Sequence, residues 1–143
     1  MTTIAYKDGI VARDSRSTDP SGFIVSDKKE KMRIRDGIIF FCTGYTSHIE
    51  KLIAVYFGEE PNSSESIDAS ALVIDGDSFY VIGADENGIF KNTCEKNEMY
   101  AGGSGGDIAM GAMEMGASAR AAVKIAMRRD SKTGGKIKVF KVK

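Results

Sequence analysis

Apolar and polar positions alternate from the start of the chain. Thr2–Tyr6 and Ile10–Arg13 are short β-like runs joined by Lys7-Asp8-Gly9, and an Asp-Gly pair between such runs predicts a hairpin. The polar stretch Asp14–Gly22 predicts turns, and Phe23–Ser26 a short strand. In Lys28–Arg35, Met32 and Ile34 alternate with Lys31, Arg33 and Arg35, the pattern of a half-exposed strand. Beyond the turn at Asp36-Gly37, Ile38–Thr43 is a continuous apolar run that predicts a buried strand. The period then changes. Ile49, Leu52, Ile53 and Tyr56 fall on one helical face, so Thr46–Phe57 is predicted helical, capped by Thr46 or Ser47 and ended by Gly58. Glu59–Ser66 reads as a loop. Ala69–Asp75, Phe79–Ala84 and Ile89–Lys91 lie between Asp-Gly and Asn-Gly turns and predict a meander. Ala101–Gly106 reads as a glycine-rich loop, Asp107–Gly116 and Ser118–Arg129 as two helices broken near Gly116, and Lys136–Lys143 as a last strand. Strands, a helix, strands, two helices and a strand predict an α+β domain with antiparallel sheets and helices outside them.

Composition narrows the chemistry. The chain has 143 residues, which predicts a single domain, 1–143. Lys plus Arg number 20 and Asp plus Glu 20, so no broad basic face suited to nucleic acid is expected. No apolar stretch has the length of a membrane span and the N-terminus carries no signal-peptide pattern, so neither membrane nor export is expected, and the location is expected to be cytoplasmic. Only Cys42 and Cys94 are cysteines and only His48 is histidine, which leaves no disulfide framework, no expected metal site and no expected cofactor. His48 itself reads as structural or surface.

Thr2 follows Met1, and a small second residue permits removal of the methionine. Thr2 would then carry a free α-amine beside its own hydroxyl. Such an amine has an unperturbed pKa of about 7.7–8.0, and one residue then supplies both nucleophile and base.

Further motifs follow in order: Lys-Asp-Gly-Ile-Val from Lys7, Asp14-Ser15-Arg16-Ser17-Thr18, Asp27–Met32, Thr43-Gly44, Gly103-Ser104-Gly105, and Arg129-Asp130-Ser131-Lys132-Thr133-Gly134-Gly135. Together with the Thr-Thr-Ile-Ala start they resemble the proteasome β-subunit and HslV-like family of N-terminal-nucleophile (Ntn) hydrolases, over nearly the whole chain. The resemblance implies a four-layer αββα sandwich and threonine-type peptide-bond hydrolysis. It implies Thr2 as nucleophile, Asp14 and Lys31 as the paired acid and lysine, and Arg16 as support for that carboxylate; Lys28 and Lys29 lie close by. Gly44 resembles the oxyanion-stabilising glycine, and Ser104, Asp130 and Thr133 the polar network beside the nucleophile's amine. Thr133 stands where the family usually has serine. Thr18 and Thr46 resemble positions that pair with or flank the bound peptide, and Cys42 lies on the strand that reaches the first specificity pocket.

The resemblance further implies a polypeptide substrate, a homo-oligomeric ring and an ATP-driven (AAA+) unfolding partner. The start directly at Met1-Thr2 resembles HslV, which needs no autocatalytic processing. The chain departs from the family in length. Its first hairpin is shorter by an even number of residues, which preserves side-chain facing, and a single helix is expected after Gly44 where the family has two, so the helical layer is expected to be reduced. A catalytically silent assembly subunit and an Ntn amidase acting on a small amide are the alternatives.

Overall fold

Two tight turns show how local sequence becomes hairpin. Asp8 and Gly9 have φ of 51° and 80°, and Asp36 and Gly37 have 52° and 77°. Successive positive φ values match the right-handed twist of the flanking strands, and Asp-Gly tolerates them at low cost. The computed structural model describes residues 2–59 and 67–142. In chain order these form β1 (Thr3–Lys7), β2 (Ile10–Arg13), β3 (Ser17–Thr18), β4 (Ile24–Ser26), β5 (Met32–Arg35), β6 (Ile38–Gly44) and α1 (Thr46–Tyr56). Then come β7 (Ala69–Asp75), β8 (Ser78–Asp85), β9 (Gly88–Thr93), β10 (Tyr100–Gly103), α2 (Gly106–Glu114), α3 (Ala119–Arg129) and β11 (Lys138–Lys141). The chain is α+β with antiparallel sheets, and it divides into two compact units, residues 1–31 with 96–143, and residues 32–95.

The first unit holds an antiparallel sheet ordered β10-β1-β2-β11, and β3 and β4 form a small ribbon. α2 and α3 pack on this sheet. Their buried faces are small, with Ala109 and Met113 from one helix and Ala119, Ala122 and Val123 from the other against Ala5 and Ala12. Alanine at these positions lets helix and strand backbones approach closely, and each larger side chain buried here contributes about 1.5–3 kcal/mol. Lys7 places its Nζ on the carbonyls of Met113 (3.1 Å) and Ala117 (3.0 Å), a cation at the C-terminal end of α2 where orphan carbonyls concentrate negative potential. Ser118 caps α3 by accepting the N–H of Ala121, and Gly116, at φ 106°, makes the break between the helices.

The second unit is a meander, β5-β6-β7-β8-β9, with α1 against it. Ile49, Leu52 and Ile53 of α1 pack on Phe40, Cys42, Ala71, Val73 and Ile82. Strand alternation also leaves Phe41, Leu72, Ile74 and Phe79 buried on the opposite face of this sheet, as it leaves Ile4, Tyr6 and Val11 buried in the first unit.

Several expectations need correction. The expected cap on α1 is absent: its N-cap position is Tyr45, whose side chain accepts no capping hydrogen bond. The strand expected over Lys28–Arg35 spans only Met32–Arg35; ahead of it the Lys29 N–H donates to the Ser15 carbonyl at 2.8 Å and Lys31 is buried. Ala101–Gly103 is not loop but part of β10, paired with β1 from Thr3↔Gly103 to Tyr6↔Tyr100. Glycines read as loop from sequence are here strand residues: a Cβ on Gly102 would stand 2.3 Å from the Tyr100 hydroxyl, and Gly103 has φ of 88°. Most of the loop expected at Glu59–Ser66, where a second helix would be sought, lies outside the described residues. No helix among the described residues is long and apolar enough to cross a membrane.

Gly44 has φ of 115°, and a Cβ there would stand 2.2 Å from the Asp68 carbonyl oxygen and 2.7 Å from the Ala69 Cα. Gly44→Ala is expected to cost at least about 2 kcal/mol, from backbone strain and overlap together. Gly111, exposed within α2 with open space at its Cβ, provides the contrast. Gly111→Ala is expected to add about 0.5–1 kcal/mol. Urea unfolding of both variants checks the pair, and a neutral Gly44→Ala would contradict the backbone described at the end of β6.

Candidate active site

The register of the first hairpin sets the site. Ile4 lies opposite Arg13, so the next residues outward, Thr3 and Asp14, meet at the open end, where the Asp14 N–H donates to the Thr3 carbonyl at 3.3 Å. The Asp14 side chain is fully buried. A buried carboxylate is tolerable only when its lone pairs are filled and its charge is balanced. Both conditions are met. Oδ1 accepts the Thr2 hydroxyl and the Thr3 N–H (3.1 Å), and Oδ2 accepts the N–H groups of Gly134 (3.0 Å) and Arg16 (3.3 Å). The Lys31 ammonium stands 3.6 Å from Oδ1.

Lys31 is itself buried, at 8% exposure. Its Nζ donates to the Thr2 Oγ1 at 2.5 Å and to the Arg16 carbonyl at 2.6 Å. Burial pushes the Lys31 pKa below its ordinary value, and the Asp14 carboxylate opposes that push without cancelling it. Of the three neighbouring lysines, Lys31 is the one on Thr2. The site therefore places the Thr2 hydroxyl between a carboxylate and a lysine whose proton is loosened.

Arg16 departs from expectation. Its guanidinium forks onto Asp27, Nε to Oδ1 at 2.8 Å and Nη2 to Oδ2 at 3.3 Å, and Nη1 donates to the Ser131 carbonyl at 3.0 Å. Asp14 receives only the Arg16 backbone N–H. The side chain instead ties the Asp27 segment to the turn at 131. Gly134 is tight against it, since a Cβ there would lie 2.4 Å from the Arg16 Cζ.

A second polar cluster lies beside the first. Asp130 Oδ2 accepts the hydroxyls of Ser104 (2.5 Å) and Thr133 (2.6 Å), and Oδ1 accepts the Lys132 N–H (3.1 Å). Burial works to raise the Asp130 pKa, but those donors prevail and hold the carboxyl below its ordinary range. Ser104 Oγ also lies 3.4 Å from the Thr2 carbonyl oxygen. Thr3, which sequence reasoning assigned no role, is fully buried with its Oγ1 2.7 Å from that of Thr133. The doubled Thr-Thr start was the signal for it, since adjacent strand residues face opposite sides.

The first unit thus brings together Thr2, Asp14, Lys31, Ser104, Asp130 and Thr133. Thr18 is in the same unit, on β3 opposite Ile24. Gly44, Cys42 and Thr46 belong to the second unit: Gly44 ends β6, Cys42 is buried within it, and Thr46 is exposed at the start of α1. Burial pushes the Cys42 thiol up to about 12, which suits a packing role and not a nucleophile. His48 accepts the Asp68 N–H at Nδ1 (2.8 Å), a structural contact. No cluster of metal-ligating side chains occurs among the described residues.

The fold is HslV-like, of the proteasome type. HslV from Trypanosoma brucei matches it with a TM-score of 0.74 at 21% identity, covering 99% of this chain and 98% of that one. BPH from Thiobacillus denitrificans in complex with epoxomicin matches with a TM-score of 0.69 at 20% identity, over 97% of this chain and 96% of the other. A further BPH structure matches at 0.66 and 21%, over 97% and 95%. No family model matches the sequence, and no curated protein matches it.

The Lys31 shift has a consequence for stability. Its folded pKa lies below the unfolded value of 10.5, so between the two the unfolded chain holds a proton that the folded chain has released. Stability then rises with pH across that window and levels off above 10.5. Urea midpoints of the wild type are expected to climb through this range, and those of Lys31→Met to climb less. Equal slopes for the two proteins would show that Lys31 titrates as an exposed lysine.

Proposed function

We propose that this chain is a threonine-type peptidase of the N-terminal-nucleophile class, with Thr2 as nucleophile once Met1 is removed. The observation that carries the reading is the Lys31 Nζ at 2.5 Å from the Thr2 hydroxyl, inside a buried pocket balanced by Asp14. That arrangement favours the deprotonated oxygen. The proposed course is attack of Thr2 Oγ on the peptide carbonyl, with its proton passed to the Thr2 α-amine. That amine protonates the departing amine of the product, and water then cleaves the ester to release the acyl group. Gly44 is proposed to donate its N–H to the oxyanion; a glycine there exposes the donor without a side chain. Ser104, Asp130 and Thr133 orient the amine, and Arg16 holds the Asp27 and Ser131 segments around Asp14. Thr18 and Thr46 are proposed to flank an extended peptide, with Cys42 below the first specificity pocket.

The whole of 1–143 is read as one domain, a four-layer αββα sandwich. The likeness of the fold to that of HslV from Trypanosoma brucei supports this layering. A homo-oligomeric assembly, a polypeptide substrate, an ATPase partner of the AAA+ type and a cytoplasmic location complete the reading. The likeness to BPH, a protein seen in complex with epoxomicin, supports the reading and supplies the probe that tests it.

Intact-mass measurement before and after epoxomicin tests the reading. The expected result is a chain lacking Met1 that gains one inhibitor mass, hydrolyses a fluorogenic peptide, and loses both properties in Thr2→Ala. Lys31→Met is expected to lower hydrolysis by roughly a hundredfold or more. Met1 retained in full, or hydrolysis surviving in Thr2→Ala, would refute it. A silent assembly subunit would retain Met1 or form no adduct, and a small-amide hydrolase would form the adduct yet leave every peptide intact.

A further inference from the structure

Thr2 and Thr3 stand on opposite sides of one extended backbone, and each reaches a different polar cluster. Thr2 points to Asp14 and Lys31. Thr3 points to Thr133, whose hydroxyl meets Asp130. The Thr3 backbone is also clamped to Asp14 in both directions, its N–H donating to Oδ1 and its carbonyl accepting the Asp14 N–H. Thr3 thus touches both clusters.

The protons in the second cluster can be assigned. A hydroxyl has one hydrogen to give and a carboxylate has none. At 2.6 Å from Asp130 Oδ2, Thr133 must donate to it. Its hydrogen is then committed, so in the 2.7 Å contact between hydroxyls the donor is Thr3. Ser104 has the Asp130 carboxylate at 2.5 Å and the Thr2 carbonyl at 3.4 Å, and the nearer, charged acceptor takes its hydrogen. The order is Thr3 to Thr133 to Asp130, with Ser104 donating to Asp130 from the other side. Ser104 is left presenting lone pairs, suited to accept from the amine of Thr2. Space is reserved for this order: a Cβ on Gly105 would stand 2.1 Å from Thr3 Oγ1 and 3.0 Å from Thr133 Oγ1.

We infer that Thr3 is a positioning residue for the reaction. Its donated hydrogen fills a lone pair of Thr133, whose own hydrogen is committed to Asp130, and so fixes the rotation of that hydroxyl and helps hold the carboxylate and the serine oxygen where they orient the Thr2 α-amine. This rests on Thr2 being the nucleophile. Buried, Thr3 touches no substrate and acts only through Thr133.

The test uses the full chain with Thr3→Val, which keeps the shape and removes the donor, and Thr3→Ser, which restores it. Should Thr3→Val fail to fold, Thr3→Ala carries the same readout without a methyl against Thr133. The peptide kcat is expected to fall roughly fivefold to tenfold, the effect of one lost hydrogen bond, with KM within about twofold. The acid limb of the kcat profile is expected to move to lower pH, because a carboxylate held less firmly beside the amine raises its pKa less. Thr3→Ser should recover both. An unchanged kcat and acid limb in a folded Thr3→Val or Thr3→Ala would overturn the inference while leaving the nucleophile intact. So would a Thr3→Ser variant as impaired as Thr3→Val, since restoring the donor would then restore nothing. Failure of the wild type itself to hydrolyse peptide or take up epoxomicin would instead remove the reading of Thr2, and the inference with it.

Discussion

The first unit is organised around one buried carboxylate. Asp14 is removed from water, and an uncompensated charge there would cost several kcal/mol. Its two oxygens are satisfied by groups from separate parts of the chain: the start of β1, the segment after β2, and the turn at Gly134. Lys31 brings the balancing charge from a fourth segment. Apart from Thr3, the first residue of β1, none of these pieces is regular secondary structure where it meets Asp14. The carboxylate holds in place the backbone that neither sheet nor helix holds, and it leaves the Thr2 hydroxyl pressed between opposite charges.

The same constraint explains where the small residues fall. Backbone N–H groups can reach a buried oxygen only if nothing blocks the approach. At Gly134 a Cβ would strike the Arg16 guanidinium, which is fixed by its fork onto Asp27. At Gly105 it would strike Thr3. The alanine-lined contact of α2 and α3 with the sheet follows the same logic on a larger scale, since it places the loop carrying Ser104 and the end of α3 carrying Asp130 against β1. Packing of small residues and geometry of the polar site are one design.

Much of the fold was legible because its signals are local. Asp8-Gly9 and Asp36-Gly37 demand positive φ, the alternation in β1 and β2 demands strands, and the spacing of Ile49, Leu52, Ile53 and Tyr56 demands one helical face. Where reading failed, a nonlocal contact decided. Ala101–Gly103 looks like loop by composition and is strand because β1 pairs with it. The α1 start has hydroxyls available, yet the helix begins one residue earlier than they could cap. The family resemblance implied Arg16 as support for Asp14, and its guanidinium instead forks onto Asp27, whose two oxygens match its plane.

By itself, then, the sequence determined most of the element types, the turns, and the candidates for chemistry: a threonine at position 2, an aspartate after the first hairpin, a lysine ahead of β5. These depend on the residue itself and its near neighbours. Tertiary structure alone decided which hydroxyl gives its proton to which oxygen. It selected Lys31 over Lys28 and Lys29, sent Arg16 to Asp27, and joined Thr3 to Thr133 across 130 positions of chain. Hydrogen bonds of 2.5–2.8 Å are matters of tenths of an ångström, and such distances are set by how packed elements meet, which no local pattern encodes.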